Sequence, residues 1–194
     1  MQNNTNVPLR YRKQLLEPFP LDLEHIKDDK QNLKRTIEEQ KVFIEKIIDN
    51  TQGKKLDEIK DMIVLGNRGT GKSSLLCGFV NKLEFTYISA MYISEHDLIG
   101  IYAHGRRDEF NAFKNSDILV VDEIGASQFP DWLKFEFINL LASRYDKKLP
   151  TFFASNLNID EFKKYIGDRI VDRLRDNGVI RFVFKGDSLR GIKL

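Results

Sequence analysis

Gly66-Asn67-Arg68-Gly69-Thr70-Gly71-Lys72-Ser73 narrows the folds open to this chain more than any other segment. It matches G-x-x-x-x-G-K-[ST] and lies between an apolar run at 62–65 and a helical stretch at 72–82, the strand-to-helix setting this pattern requires. In that setting the glycines let successive backbone N–H groups wrap a phosphate, and the N-terminus of the following helix adds a favourable dipole. Lys72 balances the terminal phosphates, the Ser73 hydroxyl is a ligand for magnesium, and Ser74 follows in the first helical turn. The expected small molecules are therefore a nucleoside triphosphate and Mg2+.

The rest of the chain repeats the same alternation. Apolar runs at 62–65, 86–93, 118–121, 151–154 and 180–184 are separated by helical stretches at 72–82, 95–115, 131–146 and 159–176. Ile118-Leu119-Val120-Val121 is apolar without interruption, as expected of a strand buried on both faces. The pattern predicts an α/β, three-layer sandwich around a five-stranded parallel sheet. Ahead of it, residues 1–20 read as a basic tail or docking arm, with Arg10, Arg12 and Lys13, in which Pro8, Pro18 and Pro20 prevent a continuous helix. Residues 21–55 read as one or two amphipathic helices of the core, ended near Gly53, and 56–194 as the nucleotide-binding core.

Composition excludes several classes. A chain of 194 residues with 41% hydrophobic and 31% charged residues suits one globular domain. No apolar run reaches membrane-spanning length and the N-terminus lacks a secretion-signal layout, so a cytoplasmic location with no membrane contact is expected. The single cysteine, Cys77, reads as a small buried apolar residue, and His25, His96 and His104 have no metal-ligand spacing. A net charge of +2 does not by itself announce nucleic acid.

Asp122 and Glu123 follow the buried 118–121 strand, at the sheet edge where parallel α/β proteins bind ligands. Asp122 is expected to complete the magnesium shell and Glu123 to orient and deprotonate the water that attacks the terminal phosphate. Asn156, after the 151–154 strand, either reaches that water beside Glu123 or simply makes a turn. Arg169 and Arg173 share a helical face, where they either reach a phosphate of a neighbouring subunit or pair with Asp168 and Asp172. Arg190 is a further candidate for phosphate contact. Tyr92, Tyr102, Arg106 and Arg107 mark a helix-rich insertion that either contacts DNA or only packs.

With these residues assigned, the chain resembles the DnaC/DnaI-type replicative helicase loaders of bacteria or phage and, more broadly, the IstB-like AAA+ ATPases. The likeness rests on Val7-Pro8-Leu9-Arg10-Tyr11-Arg12, the phosphate loop, Asp117-Ile118-Leu119-Val120-Val121-Asp122-Glu123-Ile124-Gly125, Ala154-Ser155-Asn156-Leu157, Asp168-Arg169-Ile170-Val171-Asp172-Arg173-Leu174 and Asp187-Ser188-Leu189-Arg190. It implies an AAA+ P-loop fold with little or no C-terminal helical lid. It also implies that Asn156 acts as sensor 1, Arg173 as arginine finger and Arg190 as a sensor 2-like residue. The partners it implies are single-stranded DNA, a hexameric DnaB-type replicative helicase and further copies of the chain, joined through the Arg169/Arg173 face. An IstB-like accessory ATPase of transposition and a nucleotide-gated adaptor for a host replication protein are the alternatives.

Overall fold

The computed structural model describes residues 5–20, 30–84, 86–128 and 130–190. The expected helix within 21–29, His25 and the chain termini lie outside the described residues. Helix α1 (Lys30–Thr51) precedes a core that runs β1 (Met62–Gly66), α2 (Lys72–Leu83), β2 (Ala90–Ser94), α3 (Glu95–Ala103), α4 (Arg107–Asn115), β3 (Ile118–Ile124), α5 (Asp131–Asp146), β4 (Thr151–Ser155), α6 (Ile159–Ile166), α7 (Asp168–Asp176) and β5 (Ile180–Phe184). The five strands form one sheet in the order β2-β3-β4-β1-β5, and every pairing is parallel.

Side chains alternate across this sheet, so each continuous apolar strand feeds two cores. Met62, Val64, Val120 and Phe152 face α1 and α2, where Phe43, Ile47, Leu76 and Phe79 meet them. Ile63, Leu65, Val121 and Phe153 face the other way, toward Leu98 of α3, Phe110 of α4, Phe137 and Leu140 of α5, Phe162 of α6 and Ile170 of α7. Phe152 stacks on Phe79 with ring centroids 5.3 Å apart. Truncating so enclosed a ring to alanine costs about 3–5 kcal/mol, enough to threaten a domain of this size.

Two expected helices are broken, and one expected strand is short. Glycines at positive φ interrupt the 95–115 and 159–176 stretches. Gly105, at φ 71°, separates α3 from α4, and Gly167, at φ 81°, both ends α6 and begins α7. The 86–93 run becomes strand only from Ala90. Before that, the Thr86 N–H and hydroxyl both donate to the Leu83 carbonyl, and the backbone is spent on a turn that closes α2.

The far edge of the sheet, where the strands begin, is tied by a fully buried cation. Arg144, near the end of α5, donates to the carbonyls of Phe113, Lys114, Ser116 and Pro150 and to the Thr151 hydroxyl at 2.8–3.2 Å. It thereby joins the end of α4 to the roots of β3 and β4. The guanidinium fork, with its several donors in one plane, suits this crowd of acceptors.

Candidate nucleotide-binding site

The strands β1, β3 and β4 end at one rim, and the loops leaving them enclose a cleft of about 580 Å³. Gly66 opens the phosphate loop at the end of β1. Gly69 at φ 85° and Gly71 at φ 96° take conformations that side chains rarely adopt, and both are also sterically closed. A Cβ on Gly69 would overlap the Ser188 hydroxyl, and one on Gly71 would overlap the Gln40 amide. Arg68, Gly69, Gly71, Lys72, Ser73 and Ser74 line the cleft on this side. Asn67 and the buried Thr70 complete the loop, closed by a hydrogen bond from the Thr70 hydroxyl to the Asn67 carbonyl at 3.1 Å.

Lys72 folds back over this loop. Its Nζ donates to the carbonyls of Gly66 (2.8 Å) and Asn67 (2.7 Å) and to Asn156 Oδ1 (3.0 Å). Burial pulls its pKa down to about 8, partly opposed by the Asp122 carboxylate and assisted by the Arg190 cation. An ammonium in this environment is only partly compensated by Asp122, so an anion in the cleft would stabilise its charged form.

The acidic pair stands on the opposite wall. Strand β3 runs on past the expected 118–121 segment to Ile124, and its pairing with β4 shifts register between Val121 and Ile124. That irregularity re-aims the two acidic side chains. Asp122 is buried, its Oδ1 accepting the Glu123 N–H at 2.7 Å and its Oδ2 the Tyr92 hydroxyl at 2.6 Å. Glu123 is exposed to the cleft and holds φ at 59°, a strained value for a residue with a Cβ, of the kind that persists where function requires a side chain to be aimed. Behind the turn, the buried Glu95 accepts the Gly125 N–H at 2.8 Å, and burial raises its pKa to about 7. The neighbouring Ser155 hydroxyl donates to the Ile124 carbonyl at 2.6 Å, which fixes the start of the loop that carries Asn156.

Asp122, Glu123 and Asn156 all line the cleft, and four further side chains support it in ways the sequence did not announce. Tyr92, considered for a DNA surface, is instead buried, and its hydroxyl holds Asp122; a phenol inside an apolar strand needs such a partner. Gln40 of α1 donates to the Thr70 carbonyl at 2.8 Å and accepts the Phe19 N–H at 2.8 Å. Glu39, one residue earlier, accepts the N–H groups of Lys185 and Gly186 at 2.9 Å each, and Thr36 donates to the Asp187 carbonyl at 3.0 Å. These bonds bring Ser188, Leu189 and Arg190 against the phosphate loop, where the Leu189 N–H donates to the Gly69 carbonyl at 2.9 Å.

The N-terminal arm is also part of the site. Its Thr5 carbonyl accepts the Tyr92 N–H at 2.9 Å on the open edge of β2. Asn81 of α2 donates to the carbonyls of Tyr11 and Gln14 at 2.8 and 2.9 Å, and the backbone at Leu15 crosses Gly78 so closely that a Cβ there would overlap it. Arg10, Tyr11, Glu17 and Phe19 then line the cleft, giving it an aromatic and charged side wall.

Arg169 and Arg173 lie outside the cleft. Arg169 is exposed, whereas Arg173 is turned inward, 3.3 Å from the Asp146 carboxylate and 5.1 Å from the centre of the Tyr145 ring. Asp172 pairs at 3.1 Å with Arg175 rather than with Arg169 or Arg173, so the expected ion-paired face is not the one formed. In the α3–α4 insertion Arg107 sits over the Tyr102 ring at 3.8 Å, Tyr102 packs edge-on against Phe110, and Arg106 pairs with Glu109.

The residues fit a magnesium nucleotide. Among the described residues no group of three or more His, Cys, Asp and Glu side chains is gathered to hold a metal, whereas Asp122 and Ser73 both line the cleft. Two hard oxygen donors suit a cation that completes its shell with phosphate oxygens and water. A cleft of this volume falls within the range of small-molecule sites.

Known proteins bear on the same elements. The chain is similar to the replicative helicase loader DnaC of Escherichia coli K12, 30% identical over 139 residues that cover 68% of this chain and 57% of that protein. It is similar also to the loader DnaI of Bacillus subtilis, 30% identical over 112 residues covering 55% and 36% of the two chains. The chain therefore spans little more than half the length of the DnaC it matches. Among solved structures, a DnaC helicase loader superposes with a TM-score of 0.71 at 19% identity, covering 92% of this chain and all of that one. AMPPCP-bound DnaA from Aquifex aeolicus gives 0.66 at 19% identity, covering 91% and 51%. These likenesses show the P-loop AAA+ fold. The sequence pattern of the IstB-like ATP binding proteins matches residues 29–191, from α1 through Arg190 and including Lys72, Asp122, Glu123 and Asn156 of the cleft, and the chain belongs to the IstB-like ATP-binding family.

Proposed function

We propose that this protein hydrolyses ATP in the cleft at the sheet rim and uses it to load or remodel a hexameric, DnaB-type replicative helicase on single-stranded DNA. One observation carries the nucleotide chemistry: Lys72, Asp122, Glu123, Asn156 and Arg190, separated by up to 118 positions, converge on a single cleft. The names of the similar proteins, DnaC and DnaI, support the loading role.

In this reading the backbone N–H groups of Asn67 to Ser73 hold the triphosphate, and Lys72 exchanges its carbonyl partners for phosphate oxygens. Ser73 and Asp122 would hold Mg2+, which would supply positive charge against the terminal phosphates. Glu123 is the base that takes a proton from the attacking water. Asn156, which accepts a hydrogen bond from Lys72, turns to orient that water. Arg190 meets the phosphates from the β5 side. Tyr11 and Phe19 provide aromatic surface for the base.

Self-association is proposed through the α7 face. Arg169 is free to reach a neighbouring nucleotide as it stands, whereas Arg173 must first leave Asp146, so hydrolysis depends on assembly. Single-stranded DNA is assigned to the α3–α4 insertion, where Tyr102, Arg106 and Arg107 bring an aromatic ring and cations together. No helix among the described residues is long and apolar enough to cross a membrane, and we place the protein in the cytoplasm.

The test is loading of the cognate hexameric helicase onto circular single-stranded DNA with ATP. Expected is loading by the wild type and, for Glu123→Gln, retained ATP binding with hydrolysis lost. Absence of any effect on the helicase refutes the loading role. An ATP-dependent preference for duplex DNA favours the transposition reading, and hydrolysis unchanged by Glu123→Gln removes that residue from the mechanism.

A further inference from the structure

The fully buried carboxamide of Gln40 touches two segments that are distant in sequence and both belong to the cleft wall. Its Nε2 donates to the carbonyl of Thr70, itself fully buried in the phosphate loop, at 2.8 Å. Its Oε1 accepts the N–H of Phe19 in the arm at 2.8 Å. The Gln40 amide also fills the space beside Gly71, so it packs on the residue where the phosphate loop becomes helix α2. A shift of the Thr70 peptide on phosphate binding is therefore passed to the same amide that anchors the arm. Buried polar groups cannot trade such bonds for water without cost, so the two contacts stand or fall together.

We propose that Gln40 is a positioning residue for nucleotide binding. Its single side chain makes occupation of the phosphate loop and docking of the arm one linked event. The inference rests on the reading of 66–73 as the phosphate loop and goes beyond it, because that reading gives the arm a wall of the cleft but no coupling to the loop. Linkage is reciprocal: whatever factor arm docking contributes to nucleotide affinity, the nucleotide contributes to arm docking.

The arm offers a way to break the relay without touching the loop. Phe19 lies between Pro18 and Pro20, where the backbone is already held extended, so proline is accommodated at position 19 and removes only the N–H and the ring. Phe19→Leu removes the ring and keeps the N–H. The experiment measures affinity for AMPPCP with magnesium by titration calorimetry, together with the rate of tryptic cleavage at the exposed Arg10, Arg12 and Lys13, with and without that analogue. Expected is binding by Phe19→Pro roughly 3- to 10-fold weaker than by Phe19→Leu. The analogue slows arm cleavage in Phe19→Leu and loses the same factor of protection in Phe19→Pro. Gln40→Met is expected to match Phe19→Pro in both readouts; if it does not fold, the Phe19 pair still decides.

Equal affinity and equal protection in the two Phe19 variants overturn the relay. Lys72→Ala, measured alongside, separates the two readings. If it abolishes binding while the Phe19 variants behave alike, the phosphate loop stands and only the relay fails. If Lys72→Ala binds normally, the loop assignment fails and takes the relay with it.

Discussion

Lys72 makes nucleotide binding dependent on pH in a way that follows from its surroundings. Its pKa is about 8, lowered chiefly by burial, with Asp122 opposing and Arg190 reinforcing the shift. A bound triphosphate places several negative charges against the ammonium and restores its pKa toward the ordinary range. Binding then requires the protonated lysine, present in roughly nine-tenths of free molecules at pH 7, half at pH 8 and one-tenth at pH 9. Affinity for magnesium AMPPCP should accordingly fall about tenfold between pH 7 and 9, equal to about 1.4 kcal/mol. Titration calorimetry at pH 8 in two buffers of different ionisation enthalpy should detect uptake of about half a proton per nucleotide. Lys72→Arg, whose guanidinium stays charged, should bind more weakly but lose the pH dependence of this step. The free protein should show the matching stability effect. Because the folded pKa lies below the unfolded value of 10.5, the unfolded chain holds more protons between pH 8 and 10.5, and stability rises with pH across that window. A wild-type affinity that changes less than about twofold from pH 7 to 9, with no proton uptake, refutes the reasoning.

Two further predictions concern supports of the acidic wall. Tyr92→Phe keeps the ring that fills the core and deletes only the hydroxyl on Asp122, so the fold should survive. The magnesium concentration needed for half-maximal ATPase rate should rise roughly 3- to 10-fold, and an unchanged magnesium dependence would remove Tyr92 from the site. Glu95 is held near pKa 7 by burial, above its ordinary 4.5, so the stability associated with its protonation is complete below pH 4.5 and lost as pH rises through 7. Glu95→Gln keeps an acceptor for Gly125 and should flatten the stability difference between pH 5 and 8 by about 2–3 kcal/mol in urea unfolding; equal slopes for the two proteins would contradict this.

The parts of the fold that the residues announce are those in which local pattern and burial agree. Ile118-Leu119-Val120-Val121 has no solvated face, and the phosphate loop needs a strand before it and a helix after it. From these alone the sheet, its helical layers and the rim holding Lys72, Asp122 and Glu123 are legible. Gly105 and Gly167 were not read as breaks because helical periodicity continues on both sides of each, and only the left-handed backbone separates the halves. The arm reads as a tail because its partners are remote: Tyr11 meets Asn81 across 70 positions, and Thr5 meets Tyr92. Gln40 and Tyr92 carry no charge and sit within apolar patterns, so their roles exist only once α1, β2 and β3 are packed. The inward turn of Arg173 toward Asp146 is likewise a tertiary choice, made against the local option of pairing along α7.

Arg144 turns the bottom of the sheet into a mechanical joint. Lysine, with one ammonium at the tip of a flexible stem, cannot span the carbonyls that this guanidinium gathers from three directions, so the position tolerates no close substitute. One of those directions is the end of α4, which is thereby bound directly to the bases of β3 and β4. Those two strands lead to Glu123 and Asn156 at the opposite rim, so the clamp fixes the roots of both strands that carry the cleft's polar wall.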